Sequence, residues 1–364
     1  MKIVTVVGAR PQFIKAAPVC KALRAAGHAE YLAHTGQHYD YGMSQVFFDE
    51  LGIPQPDINL EIGSGSHGQQ TGQMLIRLEE ILLAERPDWT LVYGDTNSTL
   101  AGALAAVKLR IPVAHVEAGL RSFNREMPEE HNRILTDHMA DRLFCPTQTA
   151  VDHLRSEGIT AGVHLVGDTM YDAVRQFSAM AQERSTILAR LGLAPKGYLL
   201  ATIHRPYNTD VPENLAGILA AFAEIAEPVI FPVHPRTRKK IGDLGRQVGA
   251  DNPRMIEPVG YLDMLALQQN ARLILTDSGG IQKEAYWQGV PCVTLRTETE
   301  WVETVAAGWN VVVGADGARI VQAVQTFTPP AARPLAYGDG CAAAHIERLL
   351  QKEVCRSTYS SGCS

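Results

Sequence analysis

Ile3-Val4-Thr5-Val6-Val7-Gly8-Ala9-Arg10-Pro11-Gln12-Phe13-Ile14-Lys15 opens the chain as a short β-branched run that stops on a glycine and passes straight into a helical pattern. A strand this continuously apolar belongs to a parallel sheet covered by helices on both faces. The same device recurs in the second half, where Leu273-Ile274-Leu275-Thr276 runs into Asp277-Ser278-Gly279-Gly280-Ile281-Gln282-Lys283-Glu284. In each case glycine lets the backbone turn where a ligand could approach, and the helix start that follows favours an anion.

Outward from these turns the alternation continues. Strands are expected at 3–7, 30–34, 90–93, 113–116, 142–145 and 163–166, then at 198–203, 229–233, 255–258, 273–276, 292–295 and 311–313. Amphipathic stretches at 12–26, 69–85, 97–108, 214–227 and 281–288 separate them. Two such runs predict an α/β chain of two doubly wound, Rossmann-like domains. The expected division is 1–168 and 169–341, with a long helix over 171–193 opening the second domain. A last helix over 342–354 is expected to pack back on the first domain, and 355–364 to form a disordered tail.

A chain of 364 residues suits two domains, and 46% apolar against 20% charged residues is a globular balance. Thirty-three Lys and Arg against 39 Asp and Glu leave a net charge of -6, which argues against a nucleic-acid partner. No run approaches the roughly 18 apolar residues of a membrane span, and the opening run is too short for a signal peptide. The scattered cysteines Cys20, Cys145, Cys292, Cys341, Cys355 and Cys363 fit free thiols in a reducing cytoplasm. No metal-ligand spacing is present, and no cofactor is expected. A G-x-G-x-x-G string at Gly63, Gly65 and Gly68 does not close the first strand of a βαβ unit, so it reads as a loop rather than an NAD site.

Arg10 and Lys15 flank the first helix start, either as solvated cations or as a diphosphate clamp. Ser278, Gly279 and Gly280 read either as a phosphate-binding nest or as an ordinary N-cap, with Glu284 placed for a sugar hydroxyl. Three acidic motifs follow strands of the first domain: Asp95 in Tyr93-Gly94-Asp95-Thr96, Glu117 in His115-Val116-Glu117-Ala118-Gly119-Leu120-Arg121, and Glu129 in Met127-Pro128-Glu129-Glu130-His131-Asn132-Arg133. Carboxylates at the mouth of a sheet, where burial and cations tune them, suit proton transfer at carbon. His204 and His234, beside Arg205 and Arg236 at consecutive strand ends, point to a polyanionic ligand.

Gly8-Ala9-Arg10-Pro11, Gly36-Gln37-His38, Gly94-Asp95-Thr96, His115 to Arg121, Pro128-Glu129-Glu130, Thr276 to Gly280 and Tyr337-Gly338-Asp339-Gly340 together resemble the non-hydrolysing UDP-N-acetylglucosamine 2-epimerase family, over residues 2 to 350. The resemblance implies a GT-B fold with a ligand cleft between two Rossmann-like domains, a homodimer, and interconversion of UDP-GlcNAc and UDP-ManNAc through 2-acetamidoglucal. It implies Asp95, Glu117, Glu129 and His204 as catalytic groups, with the order of base and acid left open. UDP contacts would come from Arg10, His234, Ser278, Gly279, Gly280 and Glu284, and Lys15, Arg133 and His204 would steady the leaving diphosphate. Arg205 and Arg296 complete the implied substrate set.

Some positions depart from the family pattern. Ala9 and Gln12 stand where Thr and Glu are usual, Arg121-Ser122-Phe123-Asn124 replaces R-T-G-D, and Arg296 to Glu303 replaces R-D-T-T-E-R-P-E. These variants resemble the branch acting on UDP-2,3-diacetamido-2,3-dideoxy-glucuronic acid, the alternative substrate. Gln73 stands where an arginine is usual in the family's allosteric UDP-GlcNAc site, which argues against activation here. A GT-B glycosyltransferase, a hydrolysing epimerase and a non-catalytic nucleotide-sugar binder are the competing classes.

Overall fold

The computed structural model of the chain describes residues 1–37, 54–244 and 252–351. His38, Cys355, Cys363 and the expected tail lie outside the described residues. The chain divides into two compact units, Met1–Ala173 together with the segment from Tyr337 onward, and Val174–Ala336.

Among the described residues the first unit is built on seven strands: β1 (Lys2–Val7), β2 (Ala29–His34), β3 (Ile58–Asn59), β4 (Trp89–Tyr93), β5 (Val113–Val116), β6 (Arg142–Cys145) and β7 (Val163–Leu165). They lie in the order β3-β2-β1-β4-β5-β6-β7, every pairing parallel. Ile3, Val4, Val6 and Val7 are all fully buried, as expected of a central strand covered on both faces. The strand order reverses between β1 and β4, which puts Gly8 and Gly94 beside each other just past Val7 and Tyr93. Such a switch point at the carboxyl ends is where doubly wound sheets place ligands.

The second unit repeats the plan with β8 (Leu199–Thr202), β9 (Val229–Pro232), β10 (Arg254–Ile256), β11 (Leu273–Thr276), β12 (Cys292–Thr294) and β13 (Asn310–Val312). Their order is β10-β9-β8-β11-β12-β13, again all parallel, with the switch point between β8 and β11. Leu199, Ala201, Leu273 and Leu275 pack there against Leu215, Ile218 and Phe222 of the Pro212–Glu224 helix.

Besides small shifts of strand ends and of the division between the units, two elements differ from the sequence expectation. Ile58–Asn59 forms a strand too short to show a pattern, docked on Ala33 and His34 while Asp57 Oδ2 accepts from Leu32 N at 2.7 Å. The helix expected over 171–193 is instead two, Thr169–Arg184 and Ile187–Leu191. Ser185 breaks it: its hydroxyl donates to Asp263 at 2.5 Å and accepts from Ile187 N at 3.3 Å, a side-chain alternative to helical backbone bonding.

The last described helix, Ala342–Leu350, belongs to the first unit. The Asp172 carboxylate accepts from Ala342 N at 3.1 Å and Ala343 N at 2.8 Å, supplying the cap that Cys341 does not. His28 and Glu347 meet at 2.9 Å, and Ile346 and Leu350 are buried.

His34, at the end of β2, is 3% exposed and has Phe13 edge-on at 4.9 Å. Burial lowers its pKa from 6.5 to about 4. A ring that resists protonation when folded but accepts it when unfolded stabilises the fold fully above pH 6.5, and that stability is lost as pH falls toward 4. Wild type should therefore lose about 2 kcal/mol more than His34→Leu between pH 7 and pH 4.5 in urea unfolding. Parallel pH curves for the two proteins would refute the assignment.

Candidate active site

In the first unit the residues that follow β1, β4 and β5 converge. Lys15, one turn into the Arg10–Ala25 helix, forms an ion pair with Glu117, both side chains largely buried. Burial alone would lower the Lys15 pKa, but Glu117, with Asp168 and Asp95 adding, raises it above its ordinary value. Arg133, on the Pro128–Met139 helix, pairs with Asp95 through Nη2 and with Glu130 Oε2 at 2.8 Å through Nη1. Asn132 donates to the Asp95 carbonyl at 2.9 Å and so fixes the backbone of that turn. Two carboxylates thus each carry their own cation at the switch point of the sheet.

Glu117 adopts a left-handed backbone with φ of 70°. A side chain there costs about 1 kcal/mol or more, a strain that persists only where surrounding contacts determine it. Glu130, expected only as a neighbour of Glu129, is the buried acid of that helix start. It accepts from Ser122 N at 2.9 Å, Ser122 Oγ at 2.8 Å and Phe123 N at 2.9 Å, so it shapes the preceding loop. These bonds, opposing burial, hold its pKa below the ordinary value. Glu129 itself is exposed, with no polar partner among the described residues.

At the first turn the glycine makes room for the protein's own side chains. A Cβ on Gly8 would lie 2.1 Å from Thr35 Oγ1 and 2.2 Å from Ser98 Oγ, so the close approach is to the protein's own hydroxyls. The N–H groups of Gly8 and Ala9 donate to Gln12 Oε1 at 2.8 and 3.0 Å. Gln12 Nε2 donates in turn to the Tyr93 carbonyl at 2.7 Å, which a carboxylate at this position could not do. Gln12 therefore ties the β1 and β4 turns together. Arg10 begins the helix, and its side chain lies outside the described residues.

In the second unit Asp277, fully buried at the end of β11, organises the neighbouring turn. It accepts from His204 N and Arg205 N at 3.1 and 3.0 Å and from Asn208 Nδ2 at 3.0 Å, and His204 Nδ1 lies 3.2 Å away. Although burial opposes it, these donors hold Asp277 below its ordinary pKa. His204 and Arg205 themselves are exposed.

Ser278 caps the Gly279–Gln288 helix by accepting from Ile281 N, the N-cap alternative of the sequence reading. A Cβ on Gly279 would meet Glu300 Oε1 at 2.6 Å, so this glycine admits another loop of the protein, whereas Gly280 faces more open space. Glu284 is buried and accepts from Gln268 Nε2 at 2.7 Å. His234 caps the Pro235–Asp243 helix, and Arg296 pairs with Glu300 at 2.8 Å. No cluster of His, Cys, Asp or Glu able to hold a metal occurs among the described residues.

Two Rossmann-like units, each with charged groups at its switch point, define an α/β protein of the GT-B type. The family model for UDP-N-acetylglucosamine 2-epimerase matches residues 21–351. A UDP-N-acetylglucosamine 2-epimerase homolog of Methanococcus maripaludis is 55% identical, covering 96% of this chain and 99% of the relative. The UDP-2,3-diacetamido-2,3-dideoxy-D-glucuronate 2-epimerase of Pseudomonas aeruginosa is 51% identical, covering 97% and 100%. The crystal structure of Methanocaldococcus jannaschii UDP-GlcNAc 2-epimerase in complex with UDP-GlcNAc and UDP superposes with a TM-score of 0.86 at 44% identity, covering 96% and 99%. The chain belongs to the UDP-N-acetylglucosamine 2-epimerase family.

Asp277→Ala leaves three N–H donors of the His204–Asn208 turn without their acceptor and should cost about 3 kcal/mol of unfolding free energy at pH 7. Because the Asp277 pKa is depressed, that contribution is present above its ordinary value of 3.8 and lost as pH falls further. Denaturant curves should show the two proteins converging below pH 3.8. A gap that stays constant down to pH 3 counts against the assignment.

Proposed function

We propose that the chain is a non-hydrolysing UDP-sugar 2-epimerase, an isomerase that interconverts UDP-GlcNAc and UDP-ManNAc. The observation that carries the reading is the pairing of Lys15 with Glu117 and of Arg133 with Asp95 at the switch point of the first sheet, in a chain of this family.

A hydrogen at C2 of a 2-acetamido sugar is weakly acidic, so its removal is coupled to loss of the diphosphate from C1. One carboxylate takes the C2 proton, the C1–O bond breaks with its electron pair leaving on UDP, and C1=C2 forms in 2-acetamidoglucal. Return of UDP to C1, with a proton delivered to the opposite face of C2 by a second acid, gives the epimer with every atom recovered. Asp95, Glu117 and Glu129 are the candidate proton carriers. The cations beside Asp95 and Glu117 suit a site where negative charge builds on the leaving group. Lys15 and Arg133, together with Arg10 and His204, steady that charge. Arg205, His234, the Ser278–Gly280 turn, Glu284 and Arg296 in the second unit hold the nucleotide. Asp277 serves by fixing the backbone of His204 and Arg205.

The Pseudomonas relative at 51% identity favours a second reading of the substrate, UDP-2,3-diacetamido-2,3-dideoxy-glucuronate, with the same chemistry at C2. The proposed enzyme is a homodimer that acts in the cytoplasm; among the described residues no helix is long and apolar enough to cross a membrane. Gln73 is exposed on the His67–Glu85 helix and supplies no positive charge for a second, activating nucleotide sugar.

Incubation with each UDP-sugar in heavy water, followed by NMR, tests the reaction and the substrate together. Deuterium should enter C2 as the 2-epimer accumulates, with the larger kcat/KM naming the substrate. Release of free sugar would make the chain a hydrolysing enzyme, and absence of exchange on both substrates would refute the proposal. Asp95→Asn should lower kcat by about a hundredfold or more while UDP affinity stays within a few-fold. Loss of UDP binding instead would make Asp95 a structural group.

A further inference from the structure

β5 is apolar at Val113, Ala114 and Val116 but carries a histidine between them, and His115 is fully buried. Its Nε2 lies 2.7 Å from the Gly94 carbonyl oxygen, and its Nδ1 lies 2.7 Å from Asp137 Oδ1. A carbonyl oxygen only accepts, so Nε2 bears a proton. Asp137 Oδ2 already accepts from Arg121 Nη1 at 2.7 Å and from Gly119 N at 3.1 Å. Burial would raise the Asp137 pKa, but His115 and Arg121 hold it below its ordinary value. An ionised carboxylate only accepts as well, so Nδ1 also bears a proton. Arg121 in turn forks onto Glu157 at 2.7 and 2.8 Å, which gives two buried cations and two carboxylates in one balanced chain.

This chain of charges grips the backbone on both sides of the candidate acids. His115 holds the carbonyl of Gly94, immediately before Asp95. Asp137 holds the N–H of Gly119, and Arg121 Nη1 reaches the Leu120 carbonyl at 2.7 Å. Between them lies Glu117 in its left-handed conformation. Gly119, with φ of 79°, has no room for a side chain, since a Cβ there would lie 2.4 Å from the Ala150 carbonyl oxygen. The Glu117 turn is thus strained, tightly enclosed and pinned at two backbone atoms, and the same network holds a third, the Gly94 carbonyl, in the Asp95 turn.

We propose that His115 is a buried imidazolium and a positioning residue for the epimerisation, tying the Gly94 carbonyl to Asp137 so that the turns bearing Asp95 and Glu117 keep their spacing. The role rests on the functional reading above; the protonation state does not. A neutral imidazole would set a bare ring nitrogen against one of two acceptors and release one of the two turns. A glutamine could still donate to the Gly94 carbonyl, yet it brings no positive charge to Asp137.

Neutron diffraction from deuterium-exchanged crystals of the whole chain at pH 7.5 reads the ring directly. Deuterons are expected on both Nδ1 and Nε2 of His115, and a bare nitrogen overturns the proposal. In kinetics, His115→Gln should lower kcat by about tenfold and His115→Ala by about a hundredfold, with KM and the calorimetric UDP affinity within about threefold, as for a group that acts through the catalytic geometry rather than on the substrate. An alanine variant with wild-type kcat, or one whose loss lies wholly in KM, overturns the positioning role. If the alanine variant does not fold, the glutamine variant and the neutron map decide. Wild-type turnover is measured first: its absence refutes the functional reading, whereas a bare ring nitrogen in an enzyme that turns over refutes this proposal alone.

Discussion

Parallel strands leave a sheet by the same edge, and that constraint organises everything else in this chain. Whatever follows β1, β4 and β5 is brought together without any further instruction, and the reversal of strand order between β1 and β4 leaves room there because the connections diverge to opposite faces. Lys15, Asp95 and Glu117 are far apart in sequence and meet for that reason alone. The second sheet repeats the arrangement between β8 and β11, where Asp277 gathers the turn bearing His204 and Arg205.

What crowding does not supply is order, and the order comes from buried charge. A carboxylate inside a protein must be matched by donors or it costs several kcal/mol. Asp277, Asp137 and Glu130 each meet that condition by accepting backbone N–H groups together with a charged or polar side chain. Each satisfied acid therefore fixes a loop. Of the exposed residues that resemble the family's working groups, His204 sits on a turn shaped by Asp277, and Glu129 stands in the first turn of a helix whose Glu130 shapes the preceding loop.

Much of the architecture was legible because a central parallel strand has so restrictive a composition. β5, β6 and β11 fall where the apolar runs place them, since both faces are buried and no polar residue interrupts the pattern without a cause. Ile58–Asn59 was not legible, because two residues carry no period. The break at Ser185 was hidden as well, since it depends on Asp263, a partner far along the chain. Among the site residues, the acids stood out by position after strands. Gln12 showed only as a departure from the family pattern, because its role depends on the Tyr93 carbonyl, a partner remote in the chain.

By itself, then, the amino-acid sequence determined that two doubly wound α/β units would form and which charged residues would stand at their carboxyl edges. Periodicity and strand-end position are local properties and can be read in one dimension. Only the tertiary structure decided which of those charges are paired, which glycines make room for the protein's own side chains, and which acids hold loops in place. Those outcomes depend on distances between residues remote in the chain and on how completely water is excluded around them. No local pattern encodes either quantity.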